Sequence, residues 1–123
     1  MSDAQYEDGP SFDGLDLVSQ RNDLAAELRA THSECLAAGR KFARLENEYR
    51  HARAIATTRL REEGTPVTII DKLMYNDPDV AMLRLESDMA EVEYKVALEA
   101  LNVVKLLFRS AEEDVKRDWS SQA

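Results

Sequence analysis

Apolar side chains recur every three or four residues along the first half of the chain, from about Leu15 to Glu63. This segment contains no proline and one glycine, Gly39. The spacing is that of a coiled-coil seam, and it predicts one long helix of roughly 45 residues that needs a partner. The seam consists of Leu17, Leu24, Leu28, Thr31, Cys35, Ala38, Phe42, Leu45, Tyr49, Ala52, Ala56 and Leu60.

Glycine and proline mark a joint after this helix. Gly64 suits the left-handed position that follows a helix, Thr65 suits the next N-cap, and Pro66 suits the first position of a new helix. A short helix is predicted from Pro66 to Tyr75. Its apolar residues favour a cap, a helix that packs over the end of the hairpin. The alternative is a docking knob, whose apolar residues stay exposed and bind a partner. They are Val67, Ile69, Ile70, Leu73 and Met74.

A second joint begins the last helix, with Asp77 as the predicted N-cap and Pro78 in the first position. The segment from Pro78 to about Trp119 contains no glycine or proline, and it has two apolar faces. The first face holds Leu83, Ala90, Tyr94, Ala97, Leu98, Leu101, Val104, Phe108, Ala111, Val115 and Trp119. The second holds Leu85, Val92, Val96, Val103, Leu106 and Leu107, with Met82 and Met89 along its edge. A helix that is apolar on two sides must be covered on both. The first long helix covers one side.

Charge predicts how the two long helices pair. Residues 40–61 hold seven basic and two acidic side chains, a balance of +5, whereas residues 77–99 hold two basic and seven acidic ones, a balance of −5. An antiparallel hairpin closed near residues 64–77 places these two segments side by side. The predicted fold class is therefore all-α: a long antiparallel, coiled-coil-like helical hairpin with a short helix at the turn, self-associating into a bundle.

The uncovered face of the last helix is the predicted site of self-association, through Val92, Val96, Val103 and Leu107. A homo-oligomer is expected, with a dimer favoured. Tyr94 and Trp119 are expected to complete the core of the hairpin or of the dimer, and a role as anchors for another partner is the alternative.

Length and composition set the remaining limits. The 123 residues fit one domain, predicted over 13–120, after an acidic flexible tail over 1–12. The net charge is −8, yet five of the acids lie in the first sixteen residues, so the rest of the chain is nearly balanced. One cysteine, no apolar run long enough to cross a membrane and an acidic start unlike a signal peptide favour a cytoplasmic protein.

Motifs of catalysis are missing from the sequence: it has no phosphate-binding glycine loop, nucleophile elbow or metalloprotease helix. We therefore expect no enzyme, and no catalytic residue, metal or cofactor. His32 and His51 lie too far apart on one helix to share a metal. Cys35 belongs to the apolar seam, where a free cysteine acts as a small hydrophobic residue.

Basic side chains also mark the first helix. Arg40 and Arg44 project from its back, and Arg50 and Arg61 complete the candidate nucleic-acid contacts, because cations at helical spacing can follow a phosphate backbone. A solvated face that complements acidic neighbours is the favoured interpretation. The aromatic side chains of this region lie on the seam, where they are unavailable for stacking on bases.

One stretch resembles a known group of proteins. The segment REEGTPVTIIDKL, then VAMLRLESDMAEVEYKVALEALNVVKLLFR and finally Trp119 are similar to small, mostly uncharacterised helical-hairpin proteins of bacteriophages and prophages. The resemblance runs from roughly Arg44 to Trp119 and carries over no functional residue. It implies a gene of a phage early region, near recombination and single-strand-binding genes, and a protein in the cytoplasm of the bacterial host.

Two functions follow as hypotheses. The first is a non-enzymatic phage or prophage interaction protein, a scaffold or adaptor that acts through coiled-coil-like packing. The alternative is an accessory factor of phage DNA replication or recombination that touches nucleic acid through the basic back of the first helix. Mimicry of DNA by the acidic surface is disfavoured, since much of the acid faces the basic segment within the hairpin.

Overall fold

The protein is an all-α helical hairpin in the computed structural model, which describes residues 14–122. Its helices are α1 (Gly14–Glu62), α2 (Val67–Leu73) and α3 (Pro78–Gln122), and a short 3₁₀ turn (Met74–Asn76) connects the last two. The predicted fold class is thereby confirmed, and both long helices lie within a few residues of their predicted bounds. The acidic tail predicted for residues 1–12 lies outside the described part of the chain.

The helices contribute to two compact units, which we describe separately. The turn unit is Glu34–Leu98, and it contains the end of α1, both joints, α2 and the start of α3. The terminal unit combines residues 14–33 of α1 with residues 99–122 of α3.

The joint after α1 is a Schellman motif. The Thr65 N–H donates to the Leu60 carbonyl at 3.0 Å and the Gly64 N–H donates to the Arg61 carbonyl at 3.0 Å. Gly64 has a φ of +83°, the left-handed conformation predicted for it. The predicted cap of α2 was wrong by one residue: Pro66, in extended backbone with ψ 136°, takes the N-cap position, and no side chain caps the helix. The fixed φ of proline suits this position as well.

The joint before α3 confirms the prediction for Asp77. One oxygen of its carboxylate, Oδ1, accepts hydrogen bonds from the N–H groups of Asp79 at 2.9 Å and Val80 at 3.3 Å. These are donors of the first turn that have no partner within the helix. Pro78 occupies the first helical position, as predicted.

The short helix α2 caps the turn unit. Ile70 and Met74 are buried, and Met74 packs in a small core with Ala56 and Val80. The Thr57 hydroxyl donates to the Met74 sulfur at 3.4 Å. Ile70 and Met74 are thus placed as the cap interpretation predicts, whereas Val67, Ile69 and Leu73 of the same helix are 75%, 41% and 37% exposed, as the docking-knob alternative requires.

Close approach brings α1 and α3 together in the turn unit. A Cβ added at Gly39 would lie 3.1 Å from Cε1 of Tyr94, which is a tight contact. The absence of a side chain at Gly39 therefore allows the Tyr94 ring to pack directly against α1. The Tyr94 ring also lies 6.3 Å, centroid to centroid, from the ring of Phe42. This packing explains why a glycine stands in the middle of a 49-residue helix.

Ion pairs in the turn unit confirm the predicted charge matching between residues 40–61 and 77–99. Lys41 Nζ lies 3.1 Å from Glu93 Oε2, and Arg59 Nη1 lies 3.3 Å from Asp77 Oδ2. Both pairs join α1 to the start of α3 in antiparallel order. The Lys41–Glu93 pair is exposed and the arginine of the other pair is exposed as well, while its partner Asp77 is partly buried. Pairs with an exposed member are worth about 1 kcal/mol or less, so they select the orientation more than they stabilise it.

The predicted seam is confirmed along α1: all twelve positions are buried or half-buried. In the terminal unit, α3 buries Leu101, Val104, Ala111 and Val115. The predicted burial of Trp119 within the hairpin was wrong, because its side chain is 65% exposed. The first residue of α1 faces other side chains: a Cβ at Gly14 would lie 2.7 Å from Asp118 Oδ2 and 3.8 Å from Gln122 Nε2. Asp118 and Gln122 are therefore the positions of α3 that face the start of α1, and Trp119 lies beside them.

Candidate interaction face and arginine groove

One face of α3 stays uncovered in the turn unit. Its apolar side chains lie on the side of the helix away from Ala90, which is buried against α1. Exposed fractions run from 53% to 61%, although the residue types are those that normally lie inside. The residues are Met82, Leu85, Met89, Val92 and Val96.

The same is true of α3 in the terminal unit. Val103, Leu106 and Leu107 are 55%, 63% and 49% exposed, while Val104, between them in sequence, is buried. The structure thus leaves all four predicted self-association residues (Val92, Val96, Val103 and Leu107) open to a partner. We call these eight apolar residues of the two units the α3 stripe.

Acidic and basic side chains border the stripe. Glu86 and Asp88 are exposed at this border, as is Arg109 further along the helix, whereas Glu99 is exposed within the stripe, between Val96 and Val103. Lys95 pairs with Glu91 on its own helix at 2.8 Å, and that carboxylate raises the pKa of Lys95 by hydrogen bonding and by its charge. The border therefore carries charges of both signs, which matters for the orientation of any helix that binds here.

The structure separates the four predicted nucleic-acid contacts into two groups. Arg40 and Arg44 are exposed and make no ion pair with the described residues. Arg50 and Arg61 instead line a shallow groove of the turn unit, together with Arg53 and the acidic Asp71. Arg50 also forms an ion pair with Glu46 on its own helix.

Arg53 is the member of this groove that the sequence reasoning did not single out. Its guanidinium lies 5.6 Å from the ring centroid of Tyr49 and 5.9 Å from that of Tyr75, and Arg84 lies 4.8 Å from the Tyr75 ring. Such distances are typical of cation–π contacts. Tyr75 comes from the second joint, so only the closing of the hairpin brings these four side chains together.

Burial raises the pKa of the Tyr49 phenol, and the hydroxyl of Tyr75 beside it adds to this effect. The positive charges of Arg53 and Arg84 act in the opposite direction and are smaller influences. The phenol consequently keeps its proton at neutral pH. It is half-buried, and Phe42 packs on Tyr94, so these rings serve packing within the hairpin.

The remaining candidates for chemistry are dispersed. Cys35 is buried in the seam as predicted, whereas His32 and His51 are exposed on α1. Within residues 14–122, no three histidine, cysteine or acidic side chains are grouped so that they could hold a metal ion. None of the described helices is both long enough and apolar enough to cross a membrane.

Comparison with known proteins adds no relative. No family model, curated protein or solved structure matches the chain.

Proposed function

We propose that the protein is a non-enzymatic helical interaction protein, a scaffold or adaptor, which self-associates through coiled-coil-like packing of the α3 stripe. One observation carries the proposal: eight large apolar side chains on α3 remain about half exposed after α1 and α2 have packed. A row of exposed large apolar side chains on one helix face is typical of a surface that binds another protein.

The free energy of such an association can be estimated. Covering a half-exposed apolar side chain contributes about 1 kcal/mol, so the sixteen stripe residues of two copies contribute about 16 kcal/mol. Loss of translational and rotational freedom costs about 4–15 kcal/mol. The balance therefore lies between about 1 and about 12 kcal/mol, which spans the range from no measurable association to a nanomolar dimer, and the molar mass in solution decides between them.

The test is the molar mass in solution, measured by light scattering during size-exclusion chromatography. Self-association predicts a mass of at least twice the 13.9 kDa of one chain. The mass should fall on dilution, because a dimer dissociates by mass action. A constant mass of one chain up to high micromolar concentration would overturn the proposal.

The resemblance of residues 44–119 to small phage and prophage proteins supplies the proposed setting. In the cytoplasm of a bacterial host, such a protein would hold or occlude the surface of another protein through its helices. Affinity capture from infected or lysogenic cells, with and without nuclease, tests this setting. A protein partner retained after nuclease supports it, and a partner lost with nuclease points to the second candidate below.

Contact with nucleic acid is the second candidate, and the groove lined by Arg50, Arg53 and Arg61 favours it. Three guanidiniums that line one groove can neutralise neighbouring phosphates together. The acidic Asp71 and Glu46 beside them weaken the positive potential. We therefore rank this function below self-association.

A direct binding measurement tests the second candidate. Three phosphate contacts predict that affinity for a labelled DNA oligonucleotide falls about 40-fold between 50 and 200 mM salt. Arg50→Glu with Arg61→Glu should abolish binding, whereas the matched pair Arg40→Glu with Arg44→Glu should weaken it only slightly. Absence of binding at 50 mM salt, or an equal loss in both pairs, would remove the groove as a nucleic-acid site.

A further inference from the structure

The arginine groove, lined by Arg50, Arg53, Arg61 and Asp71, lies between α1 and α2. The carboxylate of Asp71 on α2 forms no ion pair with the arginines of α1. Only Arg50 has a carboxylate partner in the described part of the chain, and that partner is Glu46 on its own helix. Charges of opposite sign thus stand unpaired on the two walls of a space of about 350 Å³.

Arg53 is the most firmly held cation of the groove. It is half-buried, and its guanidinium lies 5.6 Å and 5.9 Å from the ring centroids of Tyr49 and Tyr75. The rings position this side chain but do not neutralise its charge. Arginines that withdraw from water are usually paired with an anion, and the donors of a guanidinium match the oxygens of a phosphate or carboxylate. Arg53 therefore has donors and a charge to offer to an oxyanion.

Arg61 supplies the second unpaired cation. Arg53, Thr57 and Arg61 follow each other at intervals of four residues, so they share one side of α1. At 1.5 Å per residue, the backbones of the two arginines are about 12 Å apart. The groove between them is lined by the smaller or buried side chains of Ala54, Thr57 and Met74. This leaves room for an anion between two long, flexible cationic side chains.

Carboxylates limit the positive region on both sides. The α2 side ends in the carboxylate described above. On the other side a second groove, between α1 and α3, begins at Arg50 and Arg53. Its acidic lining residues are Glu46, Asp88 and Glu91. A nucleic-acid strand that continued from one groove into the other would bring its phosphates against these carboxylates, so the site suits one phosphate group better than a row of them.

Asp71 sets a second requirement for a ligand. Its carboxylate repels a bare phosphate, whereas a hydroxyl group of a ligand can donate a hydrogen bond to it. A phosphate ester that carries hydroxyl groups satisfies both walls at once, with its phosphate at α1 and a hydroxyl at α2. The volume of about 350 Å³ lies in the range of small-molecule sites.

We propose that the arginine groove binds one phosphate group of a small hydroxylated phosphate ester, a sugar phosphate or a mononucleotide. Arg53 and Arg61 bind the phosphate, and Asp71 accepts a hydrogen bond from a hydroxyl group. The groove and the α3 stripe share no residue, so this inference goes beyond self-association and does not depend on it. It also differs from contact with nucleic acid, which requires several phosphates in the groove.

Titration of the isotope-labelled full chain at low salt, followed through the backbone amide resonances of Thr57 and Asp71, measures the binding. The probes are ribose 5-phosphate, inorganic phosphate and ribose. We expect ribose 5-phosphate to shift these resonances with a lower dissociation constant than inorganic phosphate, and ribose to leave them unchanged. If ribose 5-phosphate causes no shift up to about 10 mM, or binds no tighter than inorganic phosphate, the proposal is wrong.

Removing one cation tests the arginines. Arg61 is exposed, so Arg61→Gln should keep the fold while it raises the dissociation constant for ribose 5-phosphate about tenfold. Arg44→Gln makes the same change at another exposed arginine of α1 that has no ion pair with the described residues, and it should leave the affinity unchanged. An equal loss in both variants would indicate general attraction of phosphate to α1 and overturn the proposal.

Removing the carboxylate has the opposite effect on the simpler probe. Asp71→Ala should bind inorganic phosphate more tightly than the wild-type chain does, because a like charge is removed. The preference for ribose 5-phosphate over inorganic phosphate should shrink in the same variant. If neither change occurs, Asp71 does not contact the ligand and the proposed ligand class is wrong.

A single-stranded decanucleotide distinguishes the two sources of a phosphate. A site for one phosphate predicts that the strand binds at most about tenfold more tightly than a mononucleotide, since it offers about ten equivalent groups. A gain of about 100-fold or more requires several phosphates bound at once. Such a gain would show that the groove holds a nucleic-acid strand, and it would overturn the proposal while leaving self-association untouched.

Discussion

A chain that carries Val96→Glu and Val103→Glu is expected to have the mass of one chain while keeping its helical content. The two valines are 60% and 55% exposed in the hairpin, so covering them contributes about 1 kcal/mol each. Losing four of them per dimer costs about 4 kcal/mol, which raises the dissociation constant about 10³-fold. Light scattering measures the mass, and far-ultraviolet circular dichroism measures the helicity.

The matched control lies on α1. Leu36 and Ile55 are 47% and 49% exposed, so Leu36→Glu with Ile55→Glu makes two similar apolar-to-acidic changes outside the stripe. This control should keep the mass of the wild-type protein. If it separates the copies as well, or if the α3 variant stays associated, the assignment of self-association to the stripe is wrong.

The bounds of the helices were predictable from the sequence because their signals are local. A left-handed residue after a helix favours glycine, and a free N–H in a first turn favours an acidic cap, whatever the rest of the fold does. Gly64 and Asp77 follow these rules. The error at Thr65 and Pro66 has the same origin, since both residues are common at the start of a helix and local rules do not rank them.

The pairing of α1 with α3 was also predictable from the sequence. The apolar seam and the two blocks of opposite charge each consist of many residues, and together they indicate which faces and which segments of the two helices pack against each other. Lys41–Glu93 and Arg59–Asp77 show the expected matching in the turn unit. Periodicity identifies a face from many residues at once, so a few small or polar positions do not obscure it.

Single side chains were harder to predict than faces. Trp119 is exposed because its neighbour Asp118 faces the first residue of α1, and a periodicity taken over a whole helix does not resolve a shift of one residue. The place of Arg53 in the arginine groove was not predictable for a similar reason. Arg53 and Tyr75 meet only because the second joint folds back over α1, and such a contact depends on tertiary structure that no local pattern encodes.

The turn unit gives the sharpest expectation for stability. Its core consists of Ala56, Met74 and Val80, and Val80 is completely buried. Val80→Asp places a carboxylate without a partner in this core, so we expect a loss of about 4 kcal/mol or more, a large share of the about 5–15 kcal/mol typical of a folded protein. Urea unfolding followed by circular dichroism, at one protein concentration, measures this loss.

The control is the same substitution at Val67, which is 75% exposed in the first turn of α2. Val67→Asp should change the stability by no more than about 0.5 kcal/mol, because the side chain is in water and a carboxylate suits a helix N-terminus. If Val80→Asp does not fold, Val80→Ala gives a graded result of about 2 kcal/mol. Equal stability of the Val80 and Val67 variants would show that the stability of the turn unit does not depend on the core formed by Ala56, Met74 and Val80.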